Sequence, residues 1–537
     1  LSVRVRKWST LLFSVTLWAG ALLFAFRAFS YVWDARLVVP IQDEWDFLNW
    51  YSKAVDTEVS LTGLWQDHNG HRVLIPRMLF LARDALLGGE PLSLILACQL
   101  LQVLLIGVIV TVLVREPRLK GTLEQPLLVA NTILLLTWTI QTENFHWGLQ
   151  IAYVLAAFLA VTALALLSCL PPPRVGIDWP SIGAAASALL ACLCLGAGIG
   201  AWPALLVVAA AQRRGVDAFA AITAGAGLSA MLYLGAAGID VLLILERWVD
   251  VLRFLCRYVG PPYIRETYAV AIGAALIGTG VLAITIGLWR GVRGHLANLA
   301  LGLVTFGLSV ALLTSVVRFG GELAYNRYAA FASLVWVGGL VLAGLVARAS
   351  RRRMGRWAFS SMVLAMILRF PVGTQGVAAA PFIERAEGST AAVLSMVAGV
   401  PDESAIRAYL YPRPELPQRL LPFLLAHQYG FFGDRLVKSI GRPAAANFHI
   451  ESSACEASVN LRFRFPGWQV QGRFIGDRST KWLVFVGPHG NVRGLAVQSR
   501  GRDTSFTGYV PGTALGGTVY GVHGDVLCWA AVLQAPG

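Results

Sequence analysis

Three carboxylates fall within four positions of the stretch PIQDEWDFLNWY: Asp43, Glu44 and Asp46. A carboxylate held beside an acceptor can remove a hydroxyl proton, and an indole face such as Trp45 or Trp50 can stack on a sugar ring. The same letters suit a helix start, with Asp43 as N-cap and Glu44 and Asp46 in the first turn, where the helix dipole favours acids. The two uses are compatible. On the chemical reading Asp43 is the general base and Glu44 its partner.

Further along comes QDHNGHRVLIPRMLF, with Asp67, His68, His71, Arg72 and Arg77. Two histidines three residues apart beside an Asp can bind a divalent metal, but Gly70 between them disfavours a regular helical site and a third ligand must come from elsewhere. A phosphate site is the sharper expectation for His68, His71 and Arg72, because Arg offers paired planar donors. The plainer expectation is an interfacial segment with its charges toward water. WTIQTENFHWGLQ places Glu143 and His146 in a short turn, where they could orient an acceptor or simply belong to an aromatic belt with Trp138 and Trp147. Arg318 and Arg327 flank another short turn, with Glu322, Asn326 and Tyr328, and form the best pair for an anionic head group. Arg369, deep in an apolar run, can snorkel to a membrane surface.

The elements that must carry these residues are membrane spans. Of 537 residues 56% are apolar and only 14% charged, well below the roughly 25% charged residues of soluble domains. A cytosolic enzyme is excluded. Apolar runs of spanning length lie near 8–28, 91–114, 125–141, 149–170, 180–197, 201–212, 216–238, 268–289, 296–317, 329–347 and 357–377. About eleven helices put the two chain ends on opposite sides, and Leu1 with Arg4, Arg6 and Lys7 reads as a signal-anchor flank. Arg115, Arg118, Lys120, Arg213, Arg214, Arg290 and Arg348 all fall in loops of one side, which the positive-inside rule makes cytoplasmic. That asymmetry accounts for the net charge of +14 without nucleic acid as a partner.

Residues 1–380 therefore read as a helical transmembrane domain with a long first outside loop over 29–90. A second outside segment carries ERWVDVLRFLCRYV, which reads as an amphipathic helix on the membrane surface. Residues 381–446 form a helical connector outside the membrane, and 447–537 a β-rich domain whose short alternating runs predict a small sandwich. Cys455 and Cys528 sit near the two ends of that outside domain, where a disulfide is permitted. There is no GxxxxGK[ST] loop and no GxSxG elbow, so nucleotide chemistry inside the cell has no support. An enzyme working outside, away from nucleotide sugars, needs a lipid-carried donor.

The acid motif of the first outside loop (Asp43 and Glu44 in QDEWD), the acid of the next outside turn (Glu143 in TENFHW) and an outside C-terminal domain resemble the GT-C glycosyltransferases. The resemblance covers roughly 1–380 and lacks the WWD motif of oligosaccharyltransferases. It implies a polyprenyl-phosphate-linked sugar donor, inversion at the anomeric carbon, and a first-loop acid as base. It also implies a bacterial inner-membrane location with a glycan or glycolipid acceptor on the periplasmic or extracellular side. Some branches of the superfamily hold a divalent ion such as Mg or Mn between the two acidic motifs, here Asp43 and Glu143. In this frame Arg318, Arg327, His68, His71 and Arg72 face the donor phosphate, while Glu143, His146, Trp45 and Trp50 face the acceptor. Two rivals remain: a polysaccharide polymerase or ligase acting through Arg and His, and a transporter or flippase of lipid-linked glycans, which would place its ionisable groups near the midplane.

Overall fold

The computed structural model describes residues 3–56, 61–171, 178–233, 241–260, 266–291, 294–319, 325–349, 353–369, 375–455, 457–464, 466–474, 482–498, 505–512 and 516–534. Among these, seven helices are long and apolar enough to cross a bilayer: Leu11–Asp34, Pro91–Arg115, Gly148–Cys169, Val216–Tyr233, Thr267–Arg290, His295–Arg318 and Arg327–Ala349. Seven of the eleven expected spans are thus accounted for by helices of that length. All eleven runs contain helix, but Glu124–Leu136, Trp179–Cys194, Ala201–Ala211 and Met354–Leu368 are shorter. At 1.5 Å per residue, the 16 residues of Trp179–Cys194 reach about 24 Å, against about 30 Å of hydrocarbon.

The shortening has local causes. Trp179–Cys194 ends in the sequence LGAGIG, where Leu195 turns extended and a tight turn over Gly196–Gly200 leads straight into Ala201–Ala211. Gly198 faces the backbone of Ala191, which an added Cβ would approach to 2.3 Å. The pair is thus a helical hairpin, its open ends joined by Arg214 and Asp178 at 2.8 Å. Glu124–Leu136 is buried on all sides from Pro126 to Leu136 and stops where Trp138 becomes extended. Helices apolar all round belong inside a bundle.

Three helices near the N-terminus frame the site. The first, α1 (Val3–Asp34), leads through an extended stretch to α2 (Asp43–Asp56), and α3 (Leu74–Leu87) follows after a turn. Leu37 donates its backbone N–H to the His146 carbonyl at 3.0 Å, and Gln42 donates to the Leu410 carbonyl at 2.5 Å. Leu37, Ile41, Trp45 and Leu48 share one apolar core with Ala392, Val393, Leu410 and Leu424 of the connector. The connector itself contains the helices Gln375–Val397 and Glu415–Ala426.

The C-terminal strands are β1 (His449–Ala454), β2 (Ala457–Arg464), β3 (Gly467–Phe474), β4 (Trp482–Val486), β5 (Val492–Gln498), β6 (Ser505–Pro511), β7 (Gly516–His523) and β8 (Val526–Gln534). They form one eight-stranded sheet in the order β1-β8-β7-β4-β5-β6-β3-β2, parallel only between β1 and β8. The expected sandwich is therefore replaced by a single curled sheet, a half-barrel. One of its faces closes on itself around Val470, Phe485, Phe506 and Val519, and the other packs on Leu394 and Val400 of the connector. Glycines allow the curl: a Cβ at Gly472 or Gly494 would come within 1.9 Å of a neighbouring strand's carbonyl. Alternating apolar residues specify a buried face for each strand, and both architectures satisfy that pattern.

Candidate active site

Gln42 takes a left-handed backbone, φ 46°, and α2 begins at the next residue. Asp43 is therefore the first helical residue and not the N-cap. Its carboxylate leaves its own helix, accepts from Asn69 Nδ2 at 3.3 Å and lies 3.2 Å from His68 Nε2. The partners sit on a two-residue turn. His68 and His71 exchange both backbone hydrogen bonds, at 3.0 and 2.9 Å, while Asn69 (φ 52°) and Gly70 (φ 79°) occupy the positive-φ positions between them. Asn-Gly is the preferred filling of such a turn, because both central residues need φ above zero. The two histidines are thus cross-strand neighbours, and Asp67 steadies the turn by accepting the Gly70 N–H at 2.9 Å.

A cavity of about 430 Å³ opens between α2, this turn and the ends of several spans. Asp43, Asp46, Phe47 and Trp50 of α2 line one wall; His68, His71, Arg318 and Arg327 line others, with Trp147 and Tyr153 beside them. The contact with His68 is the main reason the Asp43 carboxyl is held below the usual carboxylate range; burial opposes it, and the charges of His68, Arg327 and Arg318 add to it. His71 is the reverse case. Burial, reinforced by the Arg318 and His68 charges, lowers its pKa to about 4, so the ring is neutral at pH 7. Its Nδ1 is buried without a hydrogen-bond partner among the described residues. Gly196, at the apex of this helical hairpin, makes room for the ring: a Cβ there would fall 2.7 Å from Nδ1.

The two arginines differ. Arg327 Nε donates to Glu143 at 2.6 Å, another of its nitrogens reaches Gln42 Oε1 at 3.4 Å, and its guanidinium lies 5.9 Å from the Trp147 ring centroid. Arg318 is exposed at the cavity edge and has no carboxylate partner among the described residues. Its charge reaches the Asp43 carboxyl through space without a direct ion pair.

Several expected site residues are placed elsewhere. Glu44 is buried, accepting from Arg83 at 2.9 Å and from Trp147 Nε1 at 3.1 Å. It belongs to an internal network in which Arg83 also meets Asp84 at 2.8 Å and the Tyr429 hydroxyl, which donates in turn to Asp84 at 2.9 Å. Trp45 is fully buried in the core shared with the connector. Arg72 donates to the carbonyls of Leu232 and Trp65, at 3.1 and 2.9 Å, and so fastens the turn to the end of the Val216–Tyr233 span. His146 is a core histidine: Nδ1 lies 3.0 Å from the Thr142 carbonyl, the ring packs on Phe382, and burial lowers its pKa to about 4. Glu143 is held by Arg327 and does not line the cavity. Glu322 lies outside the described residues, as do the side chains of Asn326 and Arg369.

The donor set for a divalent ion between Asp43 and Glu143 is not assembled. Glu143 is neutralised by a guanidinium, and among the described residues no three carboxylate, His or Cys ligand atoms converge at Asp43. Cys455, His523 and Cys528 do converge, but the two sulfurs are joined in a disulfide with Cα atoms 5.6 Å apart.

Arg83, Asp84 and Tyr429 carry no local motif, and only their meeting in space marks them. Asp46 was visible as part of the acidic cluster; that it faces the cavity while Glu44 does not follows from the docking of α2. The chain is a membrane-embedded helical protein with a C-terminal curled β-domain. No family model, curated protein or solved structure matches it.

Proposed function

We propose that the protein is an integral-membrane glycosyltransferase. It takes a sugar from a polyprenyl-phosphate carrier and passes it to a hydroxyl of an envelope glycan or lipid-linked acceptor, at the outer face of a bacterial inner membrane. The observation that carries this reading is one cavity shared by the Asp43–His68 pair and Arg318, which has no carboxylate partner among the described residues.

In the reaction the acceptor oxygen attacks the anomeric carbon while its proton passes to the Asp43–His68 pair. Two coupled groups hold such a proton jointly. The bond from the anomeric carbon to phosphate oxygen breaks, and the electron pair leaves with the phosphate, whose growing charge Arg318 offsets. Arg327, already balanced by Glu143, shapes the wall and orients Gln42. Fixed charges aimed at developing charge in a partly dry site lower a barrier by several kcal/mol in the known cases.

The distribution of basic residues supports the orientation. The cavity lies beside the span ends at Gly148, Arg318 and Arg327, and basic residues such as Arg115, Arg118, Lys120, Arg213, Arg214, Arg290 and Arg348 fall at or beyond the other ends of the spans. Positive residues favour the cytoplasm, which leaves the cavity outside. Its position at one end of the spans favours an enzyme over a transporter with a midplane site. A polymerase or ligase acting through Arg and His would draw on His71 and Arg318 in the same cavity.

The test is release of polyprenyl phosphate from polyprenyl-phosphate sugars by the full chain in lipid nanodiscs, with a crude lipid-linked glycan fraction as acceptor. Acceptor-dependent release is expected. Vectorial movement of the lipid without release of the sugar would overturn the reading in favour of a flippase.

A further inference from the structure

Asp43, Asp46, Phe47 and Trp50 recur at i, i+3, i+4 and i+7 along α2, and all four line the cavity. One helical face thus presents two carboxylates and then two rings. Asp43 is engaged by His68 and Asn69. Asp46 is the less committed of the two: Oδ1 accepts from the Tyr411 hydroxyl at 2.6 Å, and Oδ2 takes no hydrogen bond among the described residues.

The rings are held in place. Phe47 packs on Phe80 and lies 5.5 Å from Trp50, centroid to centroid. The Trp50 indole lies against the short helix Leu61–Trp65 at Gly63, where a Cβ would come within 2.0 Å of Nε1. A glycine at that position is what admits the ring. Trp50 itself stays partly exposed to the cavity.

A pyranose offers hydroxyls along its edge and a patch of C–H on its face. Carboxylates are strong acceptors for the first, and an indole is the fitting surface for the second. A volume of about 430 Å³ falls within the range of small-molecule sites. We infer that this face of α2 is a carbohydrate-recognition strip, in which Asp46 accepts ring hydroxyls and Trp50 covers the apolar face. Naming the bound sugar as the acceptor rests on the transferase reading; binding of a sugar ring does not.

The experiment is saturation-transfer NMR on the full chain in nanodiscs, with the methyl pyranosides of glucose, galactose and mannose as probes. At least one should receive saturation from the wild-type protein. Asp46→Asn and Trp50→Ala, both checked for an unchanged melting temperature, should each weaken that probe at least tenfold, the scale of one hydrogen bond to a charged group or one lost platform. Tyr411→Phe removes the hydroxyl that tethers Asp46 but keeps the carboxylate, and should stay within twofold of wild type. No signal from any probe in the wild type, full binding in Asp46→Asn, or an equal loss in Tyr411→Phe would each overturn the assignment; the last would make Asp46 an anchor for the connector. Donor release by the wild-type protein is measured separately, so the strip and the transferase reading can fail independently.

Discussion

The Asp43 carboxylate meets His68 at 3.2 Å across two separate elements, the first turn of α2 and an Asn-Gly turn 25 residues later. This relationship replaces the backbone cap that an Asp at a helix start ordinarily makes. Asp43→Asn should therefore leave the fold intact, since Asn can still accept from Asn69, while removing the proton acceptor. Transfer is expected to fall about 100-fold or more, with an unchanged melting temperature in detergent. Full activity in this variant would move the base to His71.

Glu44 should behave in the opposite way. It partners Arg83 at 2.9 Å in a buried network that ties α2 and α3 to Tyr429 of the connector. Glu44→Ala leaves a buried guanidinium short of a carboxylate, a change that costs about 3–5 kcal/mol in comparable buried pairs. A fall in melting temperature, shared by Arg83→Met, is the expected readout. An Glu44 variant that melts like wild type but fails to transfer would return Glu44 to the chemistry.

Arg318 and Arg327 should separate by the same logic. Arg318→Ala removes a cavity charge with no carboxylate partner among the described residues, so stability should hold while the donor KM rises; Arg318→Lys should restore part of the loss. Arg327→Ala strands the buried Glu143 and should lower the melting temperature. Kinetics and thermal melts on the three proteins check the contrast.

His71 and His146 set a pH dependence of stability. Each has a folded pKa of about 4, against about 6.5 in an unfolded chain. Between those values the unfolded chain binds more protons, so stability is complete above pH 6.5 and falls as the pH drops toward 4. The slope is about 1.4 kcal/mol per pH unit for each group. Asp43 has a lowered carboxyl pKa, so its own contribution is present above the ordinary carboxylate range and is lost only on further acidification. Melting temperatures measured from pH 7.5 down to 5 should fall, and His71→Gln should flatten the curve. A flat wild-type profile would mean that the imidazoles are not buried as described.

Cys455 and Cys528 close a loop of 73 residues, worth about 4 kcal/mol by chain entropy. Peptide mapping without reductant should recover the linked pair, and reductant should speed proteolysis of the β-domain. Two free thiols would leave the curled sheet to be held by its cores alone.

Composition and periodicity were enough to read the membrane class, the helical bundle, a helical connector and a β-rich end, because each is a property of a local stretch. They also marked Asp43, the His68–His71 turn, Trp50, Arg318 and the cysteine pair. They could not rank neighbours. Adjacent residues on a helix point about 100° apart, so Asp43 and Glu44 necessarily face different surroundings, and only the docking of α2 between bundle and connector decides which one meets the cavity. The partners of Glu44 show the distance over which that choice is made: Arg83 lies 39 positions away, and Arg83 in turn meets Tyr429 across 346. The folding-back of the 179–211 hairpin and the joining of eight strands into one curled sheet have the same origin. An apolar run says that a segment must be buried. What it is buried against, how far it reaches and which side chain is left facing the cavity are properties of contacts between distant parts of the chain.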